Sequence, residues 1–180
     1  GIEIVRRRSG GGLVLLIPDE FVWVDLLVPP GAVIEGADPD DPRALMMAAG
    51  RWWRTALVHL GDTTQLAVHE GGMVTTPWSD LICFAGLGPG EIVDEGEKLV
   101  GLSQRRGRWG ARIQGALHRR VDLDRTASLL AGPRPGAPLP SVASRPGLAV
   151  DRLVASLAGS LSAALGGSSG GSSRATTRPG

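Results

Sequence analysis

Almost every cation in this chain is a guanidinium. Of its 19 Lys and Arg residues, only Lys98 is a lysine. Arginine keeps its proton at any useful pH, whereas lysine is a compact, tunable point charge. Lys98 lies in Gly96-Glu97-Lys98-Leu99-Val100-Gly101-Leu102-Ser103-Gln104-Arg105-Arg106. A glycine inside such a strand-like run hints at close approach by a ligand. The same run also reads as an ordinary edge strand with a surface lysine. A second candidate is Arg6-Arg7-Arg8-Ser9-Gly10-Gly11-Gly12. Its glycines let backbone N–H groups face a ligand closely, and its guanidiniums add charge, which suits a phosphate or carboxylate. An exposed hairpin turn fits those residues equally well. No Gly-Lys-Ser/Thr follows, so this is not a Walker loop, and it lacks the spacing of a dinucleotide fingerprint.

The remaining candidates are plainer. Cys83, between Ile82 and Phe84, reads as a buried thiol unless a cation stands beside it. Gly86-Leu87-Gly88-Pro89-Gly90 reads as a turn, because Pro89 removes a donor. His59, His69 and His118 lack metal-ligand spacing, so no tightly bound metal is expected. Arg105, Arg106, Arg108, Arg112, Arg119 and Arg120 surround Trp109. That stretch suits an acidic partner or a solvated face. The net charge of +1 argues against nucleic acid.

The elements that must position these groups are short strands and a few helices. Ile2–Arg6 alternates as a strand. Leu13–Ile17 and Phe21–Val28 read as a hairpin around Pro18-Asp19-Glu20. Asp41-Pro42 caps a helix whose stripe of Leu45, Ala49, Trp52, Ala56 and Leu60, widened by Met46, Trp53 and Leu57, belongs to a core rather than a cofactor box. Strands are expected at 65–69, 91–93, 98–104 and 112–120, and a short helix at 122–130. Strands and helices do not alternate in a βαβ rhythm, so the fold class is α+β with a mainly antiparallel sheet and flanking helices. The expected organisation is a domain at 1–131, a Pro/Gly-rich linker at 132–147, a helix at 148–165 and a disordered tail at 166–180. A single cysteine excludes an intrachain disulfide and fits a reducing compartment. No apolar run reaches the ~18 residues of a membrane span, and Gly1–Ile4 has no secretory pattern, so a soluble cytoplasmic protein is expected.

Two of these stretches carry a resemblance. Arg6-Arg7-x-Ser9-Gly10-Gly11-Gly12, followed by apolar residues, resembles the Arg-Arg-x-Ser/Thr-Gly-Gly-Gly/Arg signature of the lipoate–protein ligase and octanoyltransferase superfamily. The run from Gly96 through Lys98, Gly101, Ser103 and Gln104 to Arg106 is similar to that superfamily's Gly-x-Lys-x-x-Gly-x-Ala/Ser-Gln-x-Arg strand. The two motifs stand in the right order, and the similarity runs from about Val5 to Leu130. It implies a class II synthetase or biotin–lipoate ligase-like domain. It also implies Lys98 as the catalytic, acyl-holding residue. Arg6, Arg7, Ser9, Gly10, Gly11, Gly12, Gly101 and Ser103 are then the acyl- and phosphate-binding residues. The implied reaction joins lipoate or octanoate to a lysine of a lipoyl domain, in a 2-oxoacid dehydrogenase or glycine-cleavage-type protein. It runs through an acyl-adenylate with ATP and Mg²⁺.

Cys83-Phe84 stands fifteen residues before Lys98, the spacing found in octanoyltransferases that work through a thioester. The resemblance therefore also implies an ATP-independent alternative, in which Cys83 takes the acyl group from an acyl carrier protein. A third reading is a member that binds ligand or partner without turnover, and biotin ranks behind lipoate because its glycine loop differs. Three departures accompany the resemblance. Leu16-Ile17 stand where the superfamily has His-Asp, the segment usual before the Arg-Arg motif is missing, and the ligases' accessory C-terminal domain has no counterpart. They imply a domain that is incomplete at its N-terminus.

Overall fold

The structure, a computed structural model, describes residues 1–6, 11–62 and 65–166. Arg7, Ser9 and Gly10 of the glycine loop lie outside the described residues, as does the expected tail beyond Gly166.

The helix expected from Asp41-Pro42 is α1, Pro42–His59. Asp41 Oδ1 accepts the Arg43 N–H at 2.8 Å, and Pro42 occupies the first helical position, where a missing donor costs nothing. The helix buries Leu45, Ala49, Trp52, Trp53, Ala56 and Leu57 against one face of a five-stranded antiparallel sheet. The strands are β1 (Phe21–Val28), β2 (Leu66–Val68), β3 (Ile92–Asp94), β4 (Glu97–Gly107) and β5 (Gly110–His118), in the spatial order β1-β5-β4-β3-β2. Gly115 interrupts β5 for a packing reason. A Cβ there would stand 2.4 Å from the Trp53 indole nitrogen, so the bare backbone makes room for the ring. A short helix, α2 (Leu123–Ser128), is capped by Asp122, whose Oδ1 accepts the Arg125 N–H at 2.7 Å. The last helix, α3 (Val150–Gly166), lays Leu153 and Leu157 into the same core and touches α1.

The α+β antiparallel class is as the sequence indicates, but the first hairpin is not. Ile2–Arg6 is exposed and forms no strand. Leu13–Ile17 forms no strand either, apart from one parallel bridge between Leu13 and Ile82. The partner of β1 is β5, in a register running from Phe21–His118 to Val28–Ala111. An apolar run names no pairing partner, and this one is only partly covered, with Leu13 and Leu16 exposed. Here Leu15 and Ile17 reach the pocket beside Phe21 and Thr126 instead of a ladder.

The Pro/Gly-rich stretch 132–147 is bonded to the sheet. Ala143 N–H donates to the Lys98 carbonyl at 3.0 Å, and Arg145 N–H to the His118 carbonyl at 3.0 Å. The Arg145 guanidinium holds Asp62 at 2.6 Å and Asp94 at 2.7 Å. The Trp78 indole N–H donates to the Ala137 carbonyl at 2.9 Å. No helix among the described residues is long and apolar enough to cross a membrane.

Candidate functional site

The site begins with a slip in the sheet. Between Ile92 and Val93 the β3–β4 register shifts: Val93 faces Lys98, but Ile92 faces Val100, leaving Leu99 without a counterpart. Regular alternation would put Lys98 on the face of Val100 and Leu102, which packs into the α1 core. The bulge turns it to the opposite face, which it shares with Gly101. A Cβ on Gly101 would stand 3.1 Å from Lys98 Cε and 3.1 Å from the Phe84 ring. Gly101 therefore clears space for the lysine and the phenylalanine. It is not among the residues that line the cleft.

Lys98 is 6% exposed, and its ammonium is held on three sides. It donates to the Gly86 carbonyl at 2.9 Å and the Cys83 carbonyl at 3.2 Å, and it pairs with Glu91 Oε2 at 2.8 Å. Three N–H groups thus meet three oxygens. The Phe84 ring lies beneath, its centroid 4.9 Å from Nζ. Nothing in the sequence marks Glu91, because its partnership with Lys98 depends on the bulge. Its other contacts are structural. Oε2 accepts the Gly88 N–H at 2.8 Å, and Oε1 accepts the Leu102 N–H at 2.9 Å, just beyond the end of β3. One buried carboxylate therefore joins the Gly86–Gly90 turn, the strand edge and the lysine.

Lys98 lines a cleft of about 590 Å³. Its wall also includes Cys83, Ser103, Gly11, Glu91 and Arg43. Cys83 is partly exposed and opens a 3₁₀ turn, Cys83–Ala85. Arg43 reaches across from the first turn of α1 to the Glu70 carbonyl. Met46 lines the cleft as well, so one member of the expected core stripe belongs to the site. Gly11 has φ 98°, a left-handed conformation that favours glycine. Gly12 is packed against backbone: a Cβ would lie 2.4 Å from the Leu81 carbonyl carbon. Leu13 N–H donates to the Leu81 carbonyl at 2.7 Å, and Cys83 N–H to the Leu13 carbonyl at 3.1 Å. The glycine loop is thereby tied to the segment that carries Cys83. Arg6 is exposed and is not on the cleft wall.

His118 stands behind Phe84, edge-on at 4.5 Å between centroids, and at 4.7 Å from Phe21. Burial pushes its imidazole pKa down to about 4 from the usual 6.5, and the Lys98 charge acts in the same direction. The native ring is therefore neutral where the unfolded ring has begun to bind a proton. This contribution to stability is complete above pH 6.5 and fades as the pH falls towards 4. The loss amounts to roughly 3 kcal/mol at most. Thermal melts between pH 7.5 and 4 are expected to fall more steeply for the wild type than for His118→Phe, and parallel profiles would contradict it.

Among the described residues, no group of three or more His, Cys, Asp or Glu side chains is placed to hold a metal ion. The cleft wall brings together a buried ammonium paired with Glu91, the partly exposed Cys83, Arg43 at a helix start, Asp80 and a glycine bend. Together these can hold an anionic or carbonyl-bearing group at the end of a partly apolar chain.

No family model and no curated protein matches the sequence. The fold does match a solved one, the crystal structure of lipoate–protein ligase A bound with ATP, with a TM-score of 0.61 and 18% identity. The superposition covers 92% of this chain and 60% of that one. This chain thus has the lipoate–protein ligase-like fold.

Proposed function

We propose that this protein is a lipoate–protein ligase-like enzyme of the cytoplasm. It attaches lipoyl or octanoyl groups to a lysine of a lipoyl domain through an acyl-adenylate. The observation that carries the reading is the buried Lys98 ammonium in the wall of a 590 Å³ cleft within this fold. The apolar part of the cleft, with Met46, Met73 and Leu102, suits an acyl chain. Lys98, Arg43 and the backbone at Gly11 supply positive charge and donors where an adenylate phosphate would lie. ATP with Mg²⁺ would supply the activation of the carboxylate, with Lys98 and Arg43 the residues that would face the phosphate.

Because all three Lys98 protons have acceptors, a ligand oxygen must replace one of them. The weakest hold is the 3.2 Å contact to the Cys83 carbonyl. In this reading the acyl carbonyl takes that place while Glu91 keeps the ammonium aligned.

One observation favours the alternative, an octanoyltransferase fed by an acyl carrier protein. Cys83 lines the same cleft, and its own carbonyl is bonded to Lys98. A thiol on that wall is placed to meet the thioester of a carrier-borne acyl chain entering the cleft. Intact mass spectrometry separates the two. Lipoyl domain modified only with octanoate or lipoate plus Mg-ATP establishes the ligase. Modification only from octanoyl carrier protein, with an acyl mass on the enzyme that Cys83→Ala abolishes, establishes the transferase. An unmodified domain in both arms refutes both.

A further inference from the structure

The β4–β5 hairpin closes with a two-residue loop, Arg108-Trp109, between the paired Gly107 and Gly110. Such loops usually take Asn-Gly or a similar pair with positive φ. Here Gly110 carries the positive φ of 100°, and the tip holds a large cation and a large ring that turn geometry does not call for. Trp109 is 77% exposed, with the Arg108 guanidinium 4.5 Å from its ring. Arg105 lies directly across from Arg112, a like-charge pair that destabilises a sheet unless something anionic covers it. Arg112 is engaged by Asp25, and Arg106 leans on Asp40 at 3.4 Å. Among the described residues, Arg105 and Arg108 have no carboxylate partner. On the neighbouring strand Leu27 faces Arg112 and is 72% exposed.

Exposed Trp and Arg are the residue types that dominate binding energy at protein interfaces. We propose that this hairpin tip is the docking surface for the acceptor protein, and that it recognises an acidic face around the acceptor's lysine. The inference rests on the reading of the cleft as an acyl-transfer site. Gln104 lines the cleft and Trp109 lies five residues further along the same hairpin, less than about 17 Å away because the chain turns back after Gly107. A standard interface of roughly 800 Å² per partner is nearly 30 Å across, so one domain can rest on the tip and still present a side chain to the cleft. A polynucleotide is the weaker occupant. Asp25 and Asp40 offset two of the four arginines, and tracking a phosphate backbone typically takes about 6–10 contacts.

The test measures binding of an unmodified lipoyl domain to the full chain by calorimetry, beside lipoate-dependent ATP–pyrophosphate exchange. Arg105→Glu with Arg108→Glu, and separately Trp109→Ala, are expected to weaken docking by at least roughly tenfold and to leave exchange unchanged. Raising salt is expected to weaken wild-type docking, as is replacing the lipoyl domain's surface carboxylates by amides. Equal affinity in wild type and variants overturns the proposal. So does an absence of wild-type docking, or tighter binding of poly-U than of the domain. Exchange that fails while docking behaves as expected refutes the adenylation chemistry and leaves the surface standing.

Discussion

Lys98→Ala is expected to lower acyl transfer by at least 10²–10³-fold, about the cost of removing one oxyanion-type donor. It is also expected to cost roughly 3–5 kcal/mol of stability, because the Glu91 carboxylate is left buried without its counter-charge. The two effects must be separated, since an unfolded enzyme is also inactive. Lys98→Met combined with Glu91→Gln replaces the ion pair with uncharged groups of similar size. It should recover part of the lost stability in urea melts and none of the transfer, because Gln can accept only one of the Gly88 and Leu102 N–H groups that Glu91 holds. Transfer near the wild-type level in either protein would remove Lys98 from the chemistry. A single variant as stable as the wild type would mean that Glu91 is not held by the lysine.

Gly50→Ala should be destabilising, against the helix-propensity rule. In an exposed helix interior this change stabilises by about 0.8–1.0 kcal/mol. Here the new methyl would meet the Gly90 carbonyl oxygen at 2.0 Å, backbone against side chain with no flexible group to yield. Gly90 returns the contact: its φ is 87°, and a Cβ there would stand 2.4 Å from the Met46 carbonyl oxygen. To make room, α1 and the Gly86–Gly90 turn must part. Overpacking of this kind costs typically 1–3 kcal/mol. The turn also supplies the Gly86 carbonyl to Lys98 and adjoins Glu91, so transfer should fall along with stability. A rise in melting temperature with unchanged turnover would show that the two backbones are not in contact.

These glycines show what the sequence reveals and what it conceals. Gly86-Leu87-Gly88-Pro89-Gly90 reads correctly as a turn. Gly90, however, serves close packing on α1, and Gly88 donates its N–H to Glu91, tertiary matters with no local signature. The cap at Asp41, the stripe on α1 and the α2 start at Asp122 are all legible, because each follows from neighbours within one or two helical turns. Lys98 stands out by composition and Cys83 by its spacing, and both reach the cleft. Glu91 does not stand out, since only the bulge at Leu99 turns the lysine towards it. Gly101 attracts notice as a place of close approach, and the groups that approach it are Lys98 and Phe84. The Leu13–Ile17 strand fails because hydrophobicity without a paired partner does not make a ladder.

The bonds from residues 142–145 to the Lys98 and His118 carbonyls carry a consequence for how the folded chain comes into being. The lysine's own peptide unit finds its partner only when Ala143 has been made, and the Arg145 clasp on Asp62 and Asp94 comes two residues later. On a ribosome emitting about 5–20 residues per second, the sheet can assemble in part for several seconds while its reactive strand still lacks that last neighbour. The surroundings of Lys98 are therefore completed only after the strand that carries it, by a segment at least forty residues beyond the lysine along the chain.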